Sequence, residues 1–229
     1  TMSGDLADLI GQLYDAAAEP ARWRDFLEAG AGYFGAFSAN FIHYDAARPE
    51  RSVAFLTGYE NLPAEIRGQA MRTLIASQGD DPRVDYSFRH PSKPFHCRQI
   101  VSTAELQATA SYRTMLKPHG VEYSLMVTLS DDPSLFTGLG FLRGPRHEAF
   151  TQREVDDLGR LVPHLHRAMM IQDRLGQLEH GQQTSWQVLE NLPTGIVIAR
   201  PGGAVDYANA AARAITDGGD GLSIGAGHL

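Results

Sequence analysis

Two pairs of short apolar runs, each joined by a few turn-forming residues, constrain this chain more than any other feature. Phe37 to Tyr44 and the run containing Val53, Phe55 and Leu56 flank Asp45-Ala-Ala-Arg-Pro49. Val121 to Leu129 and Phe136 to Leu142 flank Asp131-Asp-Pro133. Apolar runs of that length around turn residues read as β-hairpins, and hairpin strands pair antiparallel. Helical periodicity surrounds them. Leu6, Leu9, Ile10, Leu13, Tyr14 and Ala17 form one stripe that Glu19-Pro20 ends. Pro20 suits the first turn of a second helix, whose Trp23, Phe26, Leu27 and Phe34 share a face. Pro63 is expected to open a third helix carrying Ile66, Met71, Leu74 and Ile75, closed by Gln78-Gly-Asp-Asp-Pro82. Phe95 to Val101 reads as a further strand. Ser102-Thr-Ala-Glu105 fits a capping box, opening a helix with Leu106, Tyr112, Arg113 and Leu116 that stops at Pro118-His-Gly120. The expectation for residues 1–150 is an α+β domain: an antiparallel sheet flanked by helices, not a doubly wound one.

A second capping box, Thr151-Gln-Arg-Glu154, starts the longest predicted helix, a connector over residues 151–185. Val155, Leu158, Val162, Leu165 and Met169 recur at spacings of three and four, and the seam then slips to Ile171, Leu175 and Leu178. Pro163 inside the pattern is expected to kink it. Residues 151–165 could pack on their own sheet. Beyond Met170 no element of the first domain is left to cover, so a homodimer seam is expected there. Residues 186–229 then read as strand, turn, strand and helix: Ile196 to Ala199, Pro201-Gly-Gly203, Val205 to Tyr207 and Asn209 to Ile215. A glycine-rich stretch comes last. About forty residues bury little core, so this segment is expected to be a truncated second domain.

Composition removes several functions. The 229 residues carry a net charge of −7 and no Lys/Arg cluster, a poor match for gripping nucleic-acid phosphates. Cys97 is the single cysteine, which rules out an internal disulfide framework and leaves too few thiolates for a structural zinc site. No apolar run approaches the roughly 20 residues that span a bilayer, and no export signal is visible, so a cytoplasmic location without membrane contact is expected.

Several short motifs carry a resemblance. Leu-Glu-Asn-Leu-Pro-Thr-Gly-Ile-Val-Ile-Ala at 189–199 and Gly-Gly-Ala-Val-Asp-Tyr-Ala-Asn-Ala-Ala-Ala at 202–212 resemble the entrance of a PAS domain, with Asn209 placed to cap the helix beyond it. Asp-Pro-Arg at 81–83, Phe-Thr-Gln-Arg-Glu at 150–154, Pro-His-Leu-His-Arg-Ala at 163–168 and Gly-Asp-Gly-Leu-Ser-Ile at 219–224 resemble a subgroup of LuxR-type helix-turn-helix transcriptional regulators. The resemblance implies a GAF/PAS-like sensor region. DNA would then be bound only through a C-terminal domain missing from this chain.

No catalytic constellation is evident. His164 and His166 are two apart on a helix and point to different faces, and His96 and Cys97 diverge along a strand, so no metal site is expected. The paired acids at Asp80/Asp81, Asp131/Asp132 and Asp156/Asp157 suit turns and helix starts. Gly138-Leu-Gly140 lies between apolar residues with no helix after it, which argues against a nucleotide loop. Cys97 with His96 or His119 leaves an alternative, an enzyme of the GAF-like, methionine-sulfoxide-reducing kind. Otherwise Tyr59, Tyr86, Phe88, Cys97, Tyr112, Met115 and Tyr123, with Met126, are expected to line a pocket for a small, partly apolar effector. The competing expectation is that they are core. No cofactor is expected.

Overall fold

A computed structural model describes residues 5–48, 52–58, 81–132 and 134–217, the side chains of 178–189 excepted. It divides into two compact units, 1–172 and 173–229. The expected helix after Pro63, and Tyr59 with it, lie outside the described residues.

The first unit begins with α1 (Leu6–Ala18), capped by Asp5, whose carboxylate accepts from the Ala7 amide. A 3-10 turn over Pro20–Arg22 leads into α2 (Trp23–Tyr33). Strands β1 (Ser38–Asp45) and β2 (Val53–Leu56) form the first hairpin. Helix α3 (Pro82–Arg89) comes next, then β3 (Phe95–His96), α4 (Cys97–Ile100) and α5 (Thr103–Ala108). A π-helical turn (Tyr112–Leu116) and a 3-10 turn (Lys117–His119) end at Gly120, whose φ of +69° suits glycine. Strands β4 (Tyr123–Thr128) and β5 (Leu135–Arg143) form the second hairpin, and α6 (Gln152–Glu190) leaves the sheet.

The five strands pair antiparallel in the order β2-β1-β5-β4-β3. The α+β architecture with an antiparallel sheet is therefore as expected. One sheet face carries Ala39, Phe41, Leu125, Val127, Leu139 and Phe141 into the main core, against Leu13, Trp23, Phe26, Leu27, Leu158, Leu161 and Leu165 from α1, α2 and α6. Trp23 stacks on Phe41 with ring centroids 4.0 Å apart. The first half of α6 thus belongs to this core. The second capping box is present, with Glu154 accepting from the Thr151 amide (2.7 Å) and hydroxyl (2.9 Å). Arg143 ties this corner together by donating to the carbonyls of Phe34 (2.6 Å) and Gly35 (3.1 Å) and pairing with Glu154.

Three local expectations change. Phe95 to Val101 is a strand for two residues only, because the Gln99 side chain accepts from the His96 amide (3.1 Å) and closes a helical turn. The helix opened by Ser102 ends at Ala108, where Thr109 turns to an extended conformation, and Tyr112 sits on a separate turn. Helix α3 is unforeseen. Asp81 caps α3 and Pro82 takes its first position.

The second unit contains the far end of α6, the hairpin β6 (Val197–Ala199) with β7 (Val205–Ala208), and α7 (Ala210–Asp217). Asn209, fully buried, accepts from the amides of Ile196 (2.8 Å) and Ala212 (2.9 Å) and donates to the Thr194 carbonyl (2.8 Å). The expected cap is there, and the same amide also fastens the strand to the helix.

Candidate functional site

Alternation along the strands sends the remaining side chains to the opposite sheet face. On β1 these are Ser38, Asn40, Ile42 and Tyr44, and on β4 they are Ser124, Met126 and Thr128. Between them, β5 presents Gly140 beside Asn40 and Met126, and Gly138 beside Ile42 and Thr128. The middle of this face therefore carries no side chain at two successive positions. A methyl group on Gly140 would stand 3.1 Å from the Asn40 amide, and one on Gly138 would stand 2.7 Å from the Phe136 ring. Asn40 is half-buried and makes no side-chain hydrogen bond among the described residues. The Ser38 hydroxyl is fully buried and also lacks a partner among them. The face is polar at its centre, in contrast to the main core behind it.

Helix α3 lies against this face. Phe88 meets Phe136 edge-on at 5.8 Å, and Tyr86 meets Phe95 at 5.0 Å while stacking on His90. At the head of α3, Asp81 accepts from the Arg83 amide (3.0 Å), from Arg83 Nε (2.9 Å) and from the Ser111 hydroxyl (3.0 Å). Arg83 Nη1 donates to the Ser124 hydroxyl (3.2 Å). The pair is 2% and 6% exposed on its side chains. Burial pushes the Asp81 carboxyl up, but the Arg83 hydrogen bonds and charge outweigh it and hold its pKa below the usual carboxylate value. This network joins α3, the segment before Tyr112 and β4.

The expected site residues fall into two places. Tyr86 and Phe88, with Met126, border the glycine-floored face. Cys97 and Tyr112 instead form a separate cluster with Val101 and Leu106, and Tyr123 packs on its edge. A cleft of about 10 Å³ there, lined by Cys97, Tyr112 and Glu122 among others, has room for one water. Tyr112 donates to Glu122 (2.9 Å), and burial followed by that carboxylate raises its pKa. Arg98 lies over the Tyr123 ring at 4.8 Å and donates to its hydroxyl (3.2 Å). Met115 is half-buried on the π-helical turn.

Ser38, Asn40, Asp81 and Arg83 are not among the residues expected from sequence to line a site. The first two are visible there only as polar residues alternating with Ala39 and Phe41, while Asp81 and Arg83 stand out only as part of the Asp-Pro-Arg motif at 81–83. Cys97 is 3% exposed and makes no hydrogen bond to a histidine among the described residues. His96 Nδ1 is buried without a partner, and burial lowers the pKa of its ring. No cluster of three metal-ligating side chains occurs among the described residues, and no described helix is long and apolar enough to cross a membrane.

No family model matches the chain, and no curated protein matches it. Among solved structures it is similar to the VqsR LBD domain from Pseudomonas aeruginosa, at 17% identity and a TM-score of 0.51, covering 73% of this chain and 96% of that one. It is also similar to CepR2 from Burkholderia cenocepacia, an N-acylhomoserine lactone dependent LuxR family transcription factor (14% identity, TM-score 0.49, 74% of this chain and 98% of that one). A third is the phycocyanobilin-bound GAF domain of a cyanobacterial phytochrome (12% identity, TM-score 0.48, 77% and 98%). The first likeness shows the fold, an antiparallel sheet flanked by helices.

Proposed function

We propose that this chain is the ligand-sensing, non-enzymatic regulatory region of a LuxR-type transcription regulator. The observation that carries the reading is the second sheet face. The Phe136 ring lies over Gly138 and the half-buried Asn40 amide beside Gly140, and with the buried Ser38 hydroxyl they suit a small molecule with a hydrogen-bonding group and an apolar body. Tyr86, Phe88 and Met126 supply apolar border. The sequence motifs at 81–83, 150–154 and 163–168 support the same family. In this reading the region is cytoplasmic and self-associates through α6. DNA is contacted by a C-terminal helix-turn-helix module and not by this acidic segment. Ligand binding would shift the population of an ordered state and so reposition that module through α6.

Thermal melting across a panel of small amphipathic metabolites tests the reading. One class should raise the melting temperature in a concentration-dependent way. Asn40→Leu should abolish that shift while leaving the melting temperature of the ligand-free protein within a few degrees. A panel without any shift, or a shift that Asn40→Leu leaves intact, would overturn the assignment of this face.

A further inference from the structure

Between α3 and β3 the chain turns through Pro91-Ser92-Lys93-Pro94, and Ser92 stands apart within that turn. With φ at +63° it is the one non-glycine residue in the left-handed region among the described residues. A residue with a Cβ stays there only where its surroundings hold it, and such positions gather at functional sites. Two bonds hold Ser92. Its amide donates to the Thr128 carbonyl at the end of β4 (2.7 Å), and its hydroxyl meets Nε2 of His166 on α6 (2.7 Å). When His166 carries its ring proton on Nδ1, the Ser92 hydroxyl donates to Nε2, which is the arrangement of a nucleophile and its base. Ser92 is half-buried and His166 exposed, so a small reagent reaches both from water.

What surrounds the pair limits what it can do. The Ser92 amide is taken by Thr128, the Lys93 amide donates to the His90 carbonyl (3.2 Å), and Pro91 and Pro94 have none. No backbone donor of this turn is left to hold the oxyanion of a tetrahedral intermediate, which is a large contribution in acyl-transfer enzymes. Attack on a reactive ester remains open, whereas release of the far less reactive serine ester is slow. We infer that Ser92 is an acylation site that accepts one acyl group from a small activated ester, with His166 as its base. Oγ bonds to the carbonyl carbon and the carbon's bond to the leaving oxygen breaks. The hydroxyl proton passes by way of His166 Nε2 to that departing oxygen, and the acyl group stays on Ser92. The acylated oxygen has no proton left to donate, so acylation also loosens a tie between the α3–β3 turn and α6. None of this rests on the effector face or the regulatory role proposed above.

Treatment of the whole chain with p-nitrophenyl acetate, followed by peptide mass mapping, tests the inference. Ser92 should gain an acetyl group about a hundredfold faster than the other serines. His166→Ala should remove that advantage, and added imidazole should bring part of the preference for Ser92 back, which a histidine with a merely structural part would not allow. A wild-type chain whose Ser92 reacts no faster than its other serines overturns the site, and that measurement needs no variant to fold. A preference for Ser92 that His166→Ala leaves intact, or that imidazole fails to bring back, overturns His166 as the base.

Discussion

Asp81 and Arg83 carry opposite charges at a place that water barely reaches, so each depends on the other. Replacing Asp81 by Asn would leave the guanidinium buried without a countercharge, and such losses cost about 3 kcal/mol at neutral pH. Because the Asp81 carboxyl is held below its ordinary value, its contribution is complete above about pH 4 and fades as pH falls through the folded-state pKa. Urea midpoints of the wild type and Asp81→Asn, compared from neutral to acidic pH, should therefore converge on the acid side. A constant gap would remove the ion pair as the cause. At Cys97 the expectation concerns access. The thiol sits among Val101, Leu106 and Tyr112, so an alkylating reagent should label it only after denaturation. Rapid labelling in the native state would instead favour the sulfoxide-reducing alternative, which needs an exposed nucleophile.

An element holds together where one side chain serves both ends of it, and Asn209 does so for the second unit by bonding Ile196, Thr194 and Ala212. Asn209→Ala should open residues 191–217 to limited proteolysis while the first unit's melting transition stays in place; uniform loss of both would contradict this local role. The elements differ in how openly the sequence announces them. Four strands and both hairpins are legible as short apolar runs around turn residues, and in two of them Ala39 and Phe41 alternate with Ser38 and Asn40, and Leu125 and Val127 with Ser124 and Met126. Both capping boxes are legible because their partners lie three residues apart. Residues 95–101 mislead because Phe95 and Cys97 keep a strand's spacing while Val101, four further on, belongs to a helical one. Helix α3 is hidden because an acid before proline suits both a turn and a helix start. The candidate face is hidden for another reason. It exists only once β5 inserts between β1 and β4, bringing Gly140 beside Asn40 across 100 residues of chain, and no local pattern encodes that pairing.

At the scale of the whole molecule, the packing of α6 sets where the first unit stops, and it does so differently from the helix's length. Leu158, Leu161 and Leu165 are fully buried in the first unit. Each contributes about 1.5–3 kcal/mol by leaving water, against a total stability of about 5–15 kcal/mol for a typical domain. Polar contacts run the same way: Tyr14 with His164 (2.9 Å), Tyr33 donating to Asp157 (3.1 Å) and Trp23 donating to Gln172 (3.1 Å). A chain ended after Phe150 loses all of these and exposes the apolar faces of α1 and α2 that they cover. It should show no cooperative melting. A chain ended after Gln172 keeps every one of them and should melt within a few degrees of the whole protein. It ends before Leu175 and the rest of the seam that the sequence places beyond Met170, so it should also be a monomer wherever the full chain is a dimer. Circular dichroism on heating and light scattering on the two fragments check both halves of the statement. Cooperative melting of the shorter fragment would make α6 an appendage of the first unit, and a dimer of the longer one would move the self-association surface off the far end of α6 and onto the sheet or its helices.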